Sequence, residues 1–537
     1  MTAMNKNAMA RYAFVAIPVV WLLAVSVPEV FRDRIFPFDS ALIAANGALF
    51  ERLFSEFVDF LSAPADWLWG YYDQYPAMSV RRHPPLFGIA SGIVYSIAGV
   101  SASAAKFTVM LFGCVFVAGT YALSCRILGS VLLAGLATLL VVATPEIAMH
   151  FYSVWLDIPS LAFAIWVLYF YVRRIQGDTS LRNAILLAGF AVLALYTYQP
   201  VVLLLAGVFV HLLIREWRTL FTDRPMLIAA AGLVVAMLPL IAFTLYFARD
   251  NLLITVGEIP KEWKEFGSPG YADWMIRDKF SLAYWTVYGR MLLQSAPLQV
   301  VGVIVWAVLR FWRRPSTEEV MLFLCVVVTY VGFSWLLVKG HRYTLYMMIP
   351  ASLLCIAAFR DVAAQLFRER SRAMAIAAAI SLALILLQFI AVRPYAPYLY
   401  LSGMNDPVAR ILEDTPDAQI LYSGRNDAAF VFYTRSLDDT GTARVHRASV
   451  QLTDTDDIEM YLVENDIDYV VLEIDNPGYD SLEVIDEFRE SILHFVGDKA
   501  LFAIVDTYSL PFGVSDDVGN VSLSVYKQLP RDMMDLD

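Results

Sequence analysis

The chain reads Phe36-Pro37-Phe38-Asp39-Ser40 at one end of a polar and aromatic stretch and Arg81-Arg82-His83-Pro84-Pro85-Leu86 at the other. Just before it, Tyr12 to Val30 is an apolar run long enough to cross a bilayer. That run follows Lys6 and Arg11 and lacks a small-residue cleavage site, so it reads as a retained span entered from the cytoplasm. Asp39 then stands at the outer end of a span, where solvent meets lipid. The loop from 31 to 102 holds Ala41 to Phe60, whose mixed apolar spacing predicts an amphipathic helix at the interface. It also holds Trp67-Leu68-Trp69-Gly70-Tyr71-Tyr72, an aromatic cluster of the kind that anchors at bilayer surfaces.

The next apolar segment, Pro84 to Gly99, sets the parity of everything after it. It is short for a span, rich in Gly and Ser, and as a span it would move every later arginine cluster outside, against the positive-inside rule. Read as a second interfacial or half-buried helix, it leaves spans near 12–30, 103–125, 131–150, 155–172, 184–198, 199–214, 226–247, 287–311, 319–338, 343–359 and 374–392. That is about eleven spans. The turns bearing Arg126, Arg173-Arg174, Arg215, Arg310 with Arg313-Arg314, and Arg360 then all lie inside. The fold class expected is a polytopic α-helical membrane protein, residues 1–393, followed by an extracytoplasmic α/β domain, residues 394–537.

Composition agrees with two solvents for two parts. Of 537 residues 59% are hydrophobic, and mean hydropathy is +0.58. The net charge of -11 is concentrated at the end: residues 394–537 hold 28 Asp/Glu against 9 Lys/Arg, so the rest is net positive. No basic patch suited to nucleic acid is present, and the four cysteines, Cys114, Cys125, Cys325 and Cys355, fall in or beside apolar runs and predict no disulfide framework. In the tail, Ala418 to Tyr422, Ala428 to Tyr433, Tyr469 to Ile474, Ala500 to Thr507 and Val521 to Tyr526 read as strands. Ile458 to Glu464 and Ser481 to Val496 read as helices, and the alternation argues for a partly parallel sheet.

Chemistry-bearing residues are few. Asp39 is either a carboxylate poised at a cavity or, with Ser40, the cap of the helix that follows. Asp157, in Trp155-Leu156-Asp157-Ile158-Pro159-Ser160, is a carboxylate between two spans with almost no loop, where a charge is costly and tends to be functional. The outer turn Lys339-Gly340-His341-Arg342-Tyr343 is rich in cations where other short outer turns are not. With Arg81, Arg82 and His83 it offers a cluster able to bind a phosphate, the alternative being headgroup anchoring. His150 and His211, at span ends, read as structural, and Asp454-Thr455-Asp456 as a solvated loop. There is no HExxH, CxxC pair, Walker loop or GxSxG.

In order, Asp39, His83-Pro84-Pro85-Leu86, Leu156-Asp157 and Arg342-Tyr343 leading to Pro350 resemble the GT-C class of membrane glycosyltransferases. The resemblance is in particular to the protein O-mannosyltransferases and the lipid A aminoarabinose transferases, over roughly residues 12–360. The resemblance implies transfer of a sugar from a polyprenyl-phosphate donor to a lipid, glycan or protein acceptor on the outer face of the plasma membrane. It makes Asp39 the catalytic carboxylate, Asp157 a second acid of the cavity, and His83 and Arg342 donor contacts. No cofactor is firmly implied, and a divalent metal stays open: many relatives carry Glu where this chain has Ser40. Relatives often carry Lys after the fifth span, where this chain has Tyr196-Thr197-Tyr198-Gln199-Pro200. The rival is a lipid or solute transporter with an outer binding domain, for which paired repeats and interrupted spans would be expected and neither is found. A second rival is a scaffold with an inactive membrane part.

Overall fold

The computed structural model describes residues 3–35, 39–77, 83–247, 281–336, 339–367, 369–394, 399–448, 458–475, 492, 502–514 and 517–529. Helix α1 (Ala3–Val30) is followed by a two-residue strand β1 (Arg34–Ile35) and by α2 (Asp39–Ser55), α3 (Phe57–Ser62), α4 (Pro64–Gln74) and α5 (Leu86–Ala98). The long helices begin at α6 (Ala102–Leu128). Serine caps recur where the chain re-enters a helix: the Ser101, Ser130, Ser180, Ser281 and Ser316 hydroxyls each accept a backbone N–H of the first turn.

Every apolar run anticipated from the sequence is helical. Among the described residues seven helices are long and apolar enough to cross a membrane, beside the shorter apolar helices Phe14–Val30, Leu86–Ala98, Val131–Val142 and Leu181–Thr197. Two runs differ from the single spans expected. The 287–311 run bends by 112° between Leu282–Ser295 and Pro297–Leu309, because the residue before a proline is pushed out of the helical region: Ala296 sits at φ -146°. The 131–150 run breaks before Pro145 into α7 (Val131–Val142) and the short α8 (Pro145–His150).

Small residues let the helices close. A Cβ on Gly207, in the helix Val202–Glu216, would stand 2.6 Å from the Cys325 backbone, so these two helices touch main chain to main chain. At the end of the bundle opposite Asp39, the arginine turns are tied by carboxylates. Arg174 bridges Glu216 and Asp223 at 2.5 and 2.6 Å, and the buried Asp361 takes Arg310, Arg313 and Arg360.

Residues Ala41 to Phe60 do not lie wholly at a surface. The first half of α2 is buried, and exposed Phe54, Phe57, Val58 and Leu61 come only after it. What buries it is α5 on one side and, on another, a helix of the C-terminal domain, α18 (Asp427–Leu437).

The C-terminal domain contributes six strands to a seven-stranded sheet of order β1-β2-β6-β7-β5-β3-β4. Strands β3 (Gln419–Ser423), β4 (Arg444–Arg447) and β5 (Tyr469–Asp475) run parallel, with β3 central. The hairpin of β6 (Phe502–Val514) and β7 (Asp517–Gln528) and strand β2 (Leu399–Ser402) run antiparallel. The seventh strand, β1, comes from the loop before Asp39. The expected strand Ala428 to Tyr433 is instead helical. Residues 427–434 are all buried between the sheet and α2, and a run that is apolar on every side carries no period to separate helix from strand. The expected helix Ser481 to Val496 and the triplet at 454–456 lie outside the described residues, residue 492 apart.

Candidate active site

Four elements far apart in sequence meet at the end of the bundle that faces the C-terminal domain. Asp39 opens α2, and its side chain is 38% exposed. Asp157 opens α9 (Asp157–Ile175) and is fully buried. His83 precedes α5. The turn His341–Thr344 leads straight into the helix Leu345–Leu366, so its first side chains are aimed by a rigid element.

Arg342 is the hub. Its Nη1 lies 3.9 Å from Asp39 Oδ2, and its guanidinium sits 4.5 Å over the Trp155 ring, 5.7 Å from the Tyr198 centroid and 5.6 Å from that of Tyr343. Aromatic faces hold the cation by its plane and leave its edge for anions. Asp157 lies within electrostatic reach of the same guanidinium. It accepts the Tyr346 hydroxyl at 3.1 Å on Oδ1, and that hydroxyl also lies 3.3 Å from Ser160 Oγ. His83 lies beside Tyr198, with ring centroids 6.1 Å apart. Tyr343 stacks on Phe333 at 4.6 Å.

His341 points to a further polar group. Its Nε2 lies 3.7 Å from Oε1 of the buried Glu146, and its ring is 6.4 Å from that of His150. His150, read from sequence as structural, thus borders the site, while His211 is tied to the Tyr171 hydroxyl at 2.7 Å away from it. Lys339 departs from the expected phosphate cluster. Its ammonium donates to the carbonyls of Phe333, Ser334 and Leu336 and lies 3.7 Å over the Tyr284 ring, so it closes the C-terminus of the helix Thr317–Trp335. Arg81 and Arg82 lie outside the described residues.

The neighbours missed in sequence are Trp155, Tyr198, Tyr346, Glu146 and His150. Tyr346 was within reach, since it lies four residues after Arg342 and so shares its helix face. Tyr198 lies in the segment where relatives often carry Lys.

Among the described residues no three His, Cys, Asp or Glu side chains converge to hold a metal ion, and the residue beside Asp39 is the buried hydroxyl of Ser40. What the geometry offers is a solvent-reachable carboxylate beside a fixed cation, with a second, buried carboxylate behind.

Residues 82–243 match the dolichyl-phosphate-mannose-protein mannosyltransferase family. No curated protein sequence matches the chain. In three dimensions the chain is similar to ArnT from Cupriavidus metallidurans. Its structures bound to undecaprenyl phosphate and in the apo state align at a TM-score of 0.59 and 13% identity, over 97% and 98% of this chain and 98% of theirs. The chain therefore has an ArnT-like GT-C fold, and its sequence likeness to the mannosyltransferase family covers residues 82–243, which include His83 and Asp157.

Proposed function

We propose that the chain transfers a sugar from a polyprenyl-phosphate donor to an acceptor at the outer face of the membrane, with the C-terminal domain on that same side. The observation that carries the reading is the 3.9 Å approach of Arg342 to Asp39, whose carboxylate is partly open to solvent. Sugar transfer needs a base to raise the nucleophilicity of an acceptor hydroxyl and a cation to stabilise the departing phosphate. Asp39 is the base, and Arg342, with His83 and Tyr343 around it, takes the phosphate. Asp157, neutralised in part by Tyr346 and Arg342, keeps that cation in place. ArnT was crystallised with undecaprenyl phosphate, which agrees with a lipid of that type as the carrier. The acceptor is a lipid, glycan or protein hydroxyl or similar nucleophile at the membrane surface.

The test is direct. Protein purified in detergent and supplied with a membrane extract as the source of acceptor should move the sugar from undecaprenyl-phosphate-linked donors onto that acceptor and release undecaprenyl phosphate, which a transporter would not do. Asp39→Asn should leave the fold intact and lower turnover by about 10² to 10⁴-fold, the usual contribution of a general base. Activity within about tenfold of wild type would remove Asp39 from that role.

A further inference from the structure

The stretch that leads into Asp39 is held by the C-terminal domain as well as by the membrane helices. After α1, the Lys106 ammonium, itself buried, donates to the carbonyls of Glu29 and Arg32. Strand β1 then adds to the edge of the outer sheet, with Arg34 opposite Ser402 and Ile35 opposite Leu401, and the Arg34 guanidinium lies 4.6 Å over the Tyr400 ring. Two side chains of a single outer helix, α18, complete the hold. Tyr433 donates its hydroxyl to Asp33 Oδ1 at 2.9 Å, six residues before Asp39, and Arg435 pairs with Glu51 at 2.6 Å, on the helix that Asp39 opens. Both contacts are largely shielded: the Tyr433 ring is buried, and the Arg435 and Glu51 side chains are 17% and 22% exposed.

From this we infer that the C-terminal domain is a positioning part of the active site: α18 fixes Asp39 by gripping the chain on both sides of it. Tyr433 and Arg435 are positioning residues that act through Asp33, Glu51 and α2, and neither touches the reacting groups. The inference rests on Asp39 being the base proposed above. A carboxylate at the first turn of a helix swings with that helix, and a misplacement of about 1 Å can cost about 10²-fold in rate. Donor binding rests on Arg342 and its aromatic partners, which belong to other elements, so loss of the grip should reach turnover and spare donor affinity.

Three single variants, one double variant and two readouts test this on the full-length protein in detergent. Tyr433→Phe and Asp33→Ala remove the same hydrogen bond from either end. Tyr461→Phe removes another outer-domain hydroxyl contact, the 2.7 Å bond to His446 Nδ1, away from α2. Amide hydrogen exchange over residues 33–35 and 39–48 should rise about tenfold or more in the first two variants and stay at the wild-type level in the third. With an undecaprenyl-phosphate-linked sugar that the wild type consumes, kcat should fall about tenfold or more with KM for the donor within about twofold. The double variant Tyr433→Phe/Asp33→Ala should be no worse than either single variant. Unchanged exchange overturns the inference, as does faster exchange with normal kcat, or an equal loss in Tyr461→Phe. Should the wild type consume no such sugar, the proposed reaction fails instead, and the exchange measurement still decides whether α18 grips the Asp39 segment.

Discussion

A guanidinium set over aromatic rings, half-buried and with one long contact to a carboxylate, limits what Arg342 can be exchanged for. Trp155, Tyr198 and Tyr343 fix its plane, while Asp39 meets only its edge. A lysine would keep the charge and some attraction to the rings but not the flat, two-point donor geometry that matches a phosphate. Arg342→Lys should therefore impair donor affinity and turnover nearly as much as Arg342→Ala, measured at matched expression and with every acceptor tried. A near-normal Arg342→Lys beside a damaged Arg342→Ala would make the residue an anchor. Side-chain direction is what the sequence left unreadable here. Lys339, His341 and Arg342 form one cationic turn on paper, yet Lys339 turns back onto the carbonyls of the preceding helix while the other two face the site. Asp157 stood out because a carboxylate between two spans with almost no loop is costly, and Asp39 because it follows the end of the first span at the head of a polar and aromatic loop. Glu146 and His150 were not, because nothing in their own neighbourhood announces the partner nearly two hundred residues away.

At the scale of elements, most helices were legible because an apolar run between capped turns leaves one reading, and the failures have identifiable causes. The sheet pairing of Arg34–Ile35 involves two residues, too few for any pattern. The helix Asp427–Leu437 is buried on all sides through Thr434, which removes the polar face that would have marked it. Its burial against α2 in turn depends on how closely α2 and α5 approach. A Cβ on Gly47 would fall 2.6 Å from Ser91 Cβ and 2.7 Å from the Tyr95 ring, both on α5, and neither neighbour is the far end of a flexible chain. Gly47→Val should push the pair apart and destabilise the protein by about 2 kcal/mol, within the range for overpacked cores. The check is the thermal midpoint in detergent, for which an unchanged value would mean that α5 is free to shift. Gly70→Val, at a glycine with open space around it on α4, is the comparison, and should lower the midpoint far less.

For the whole molecule, the acidic C-terminal domain and the arginine-laced opposite end of the bundle define a direction, and the C-terminal domain carries its own response to pH. His446, on β4, accepts the Tyr461 hydroxyl on Nδ1 and faces Gln419 Oε1 at 3.3 Å, an arrangement that suits the neutral ring. Burial pushes its pKa down to about 4; Asp73 opposes the shift and Arg444 adds to it. The unfolded ring takes its proton near pH 6.5, so as pH drops from about 6.5 to 4 the unfolded state binds the extra proton and stability is lost. The contribution, about 3 kcal/mol if the shift is fully realised, is complete above pH 6.5. His446→Gln should flatten the pH dependence of unfolding in that window, and an unaltered slope would assign it to other groups. The direction itself can be read with cysteines. In a background lacking Cys114, Cys125, Cys325 and Cys355, Met460→Cys places a thiol at a site 53% exposed on the outer domain, and Arg372→Cys places one where the side chain is 76% exposed at the opposite end of the bundle. The arginine turns gather at that opposite end, which the positive-inside rule assigns to the cytoplasm, and a carboxylate acting on lipid-linked sugars at the outer face requires the domain that grips it to be outside too. A membrane-impermeant maleimide should therefore label Met460→Cys in intact spheroplasts and reach Arg372→Cys only after the membrane is opened. The reverse pattern would invert the topology and move the site at Asp39 to the cytoplasmic face.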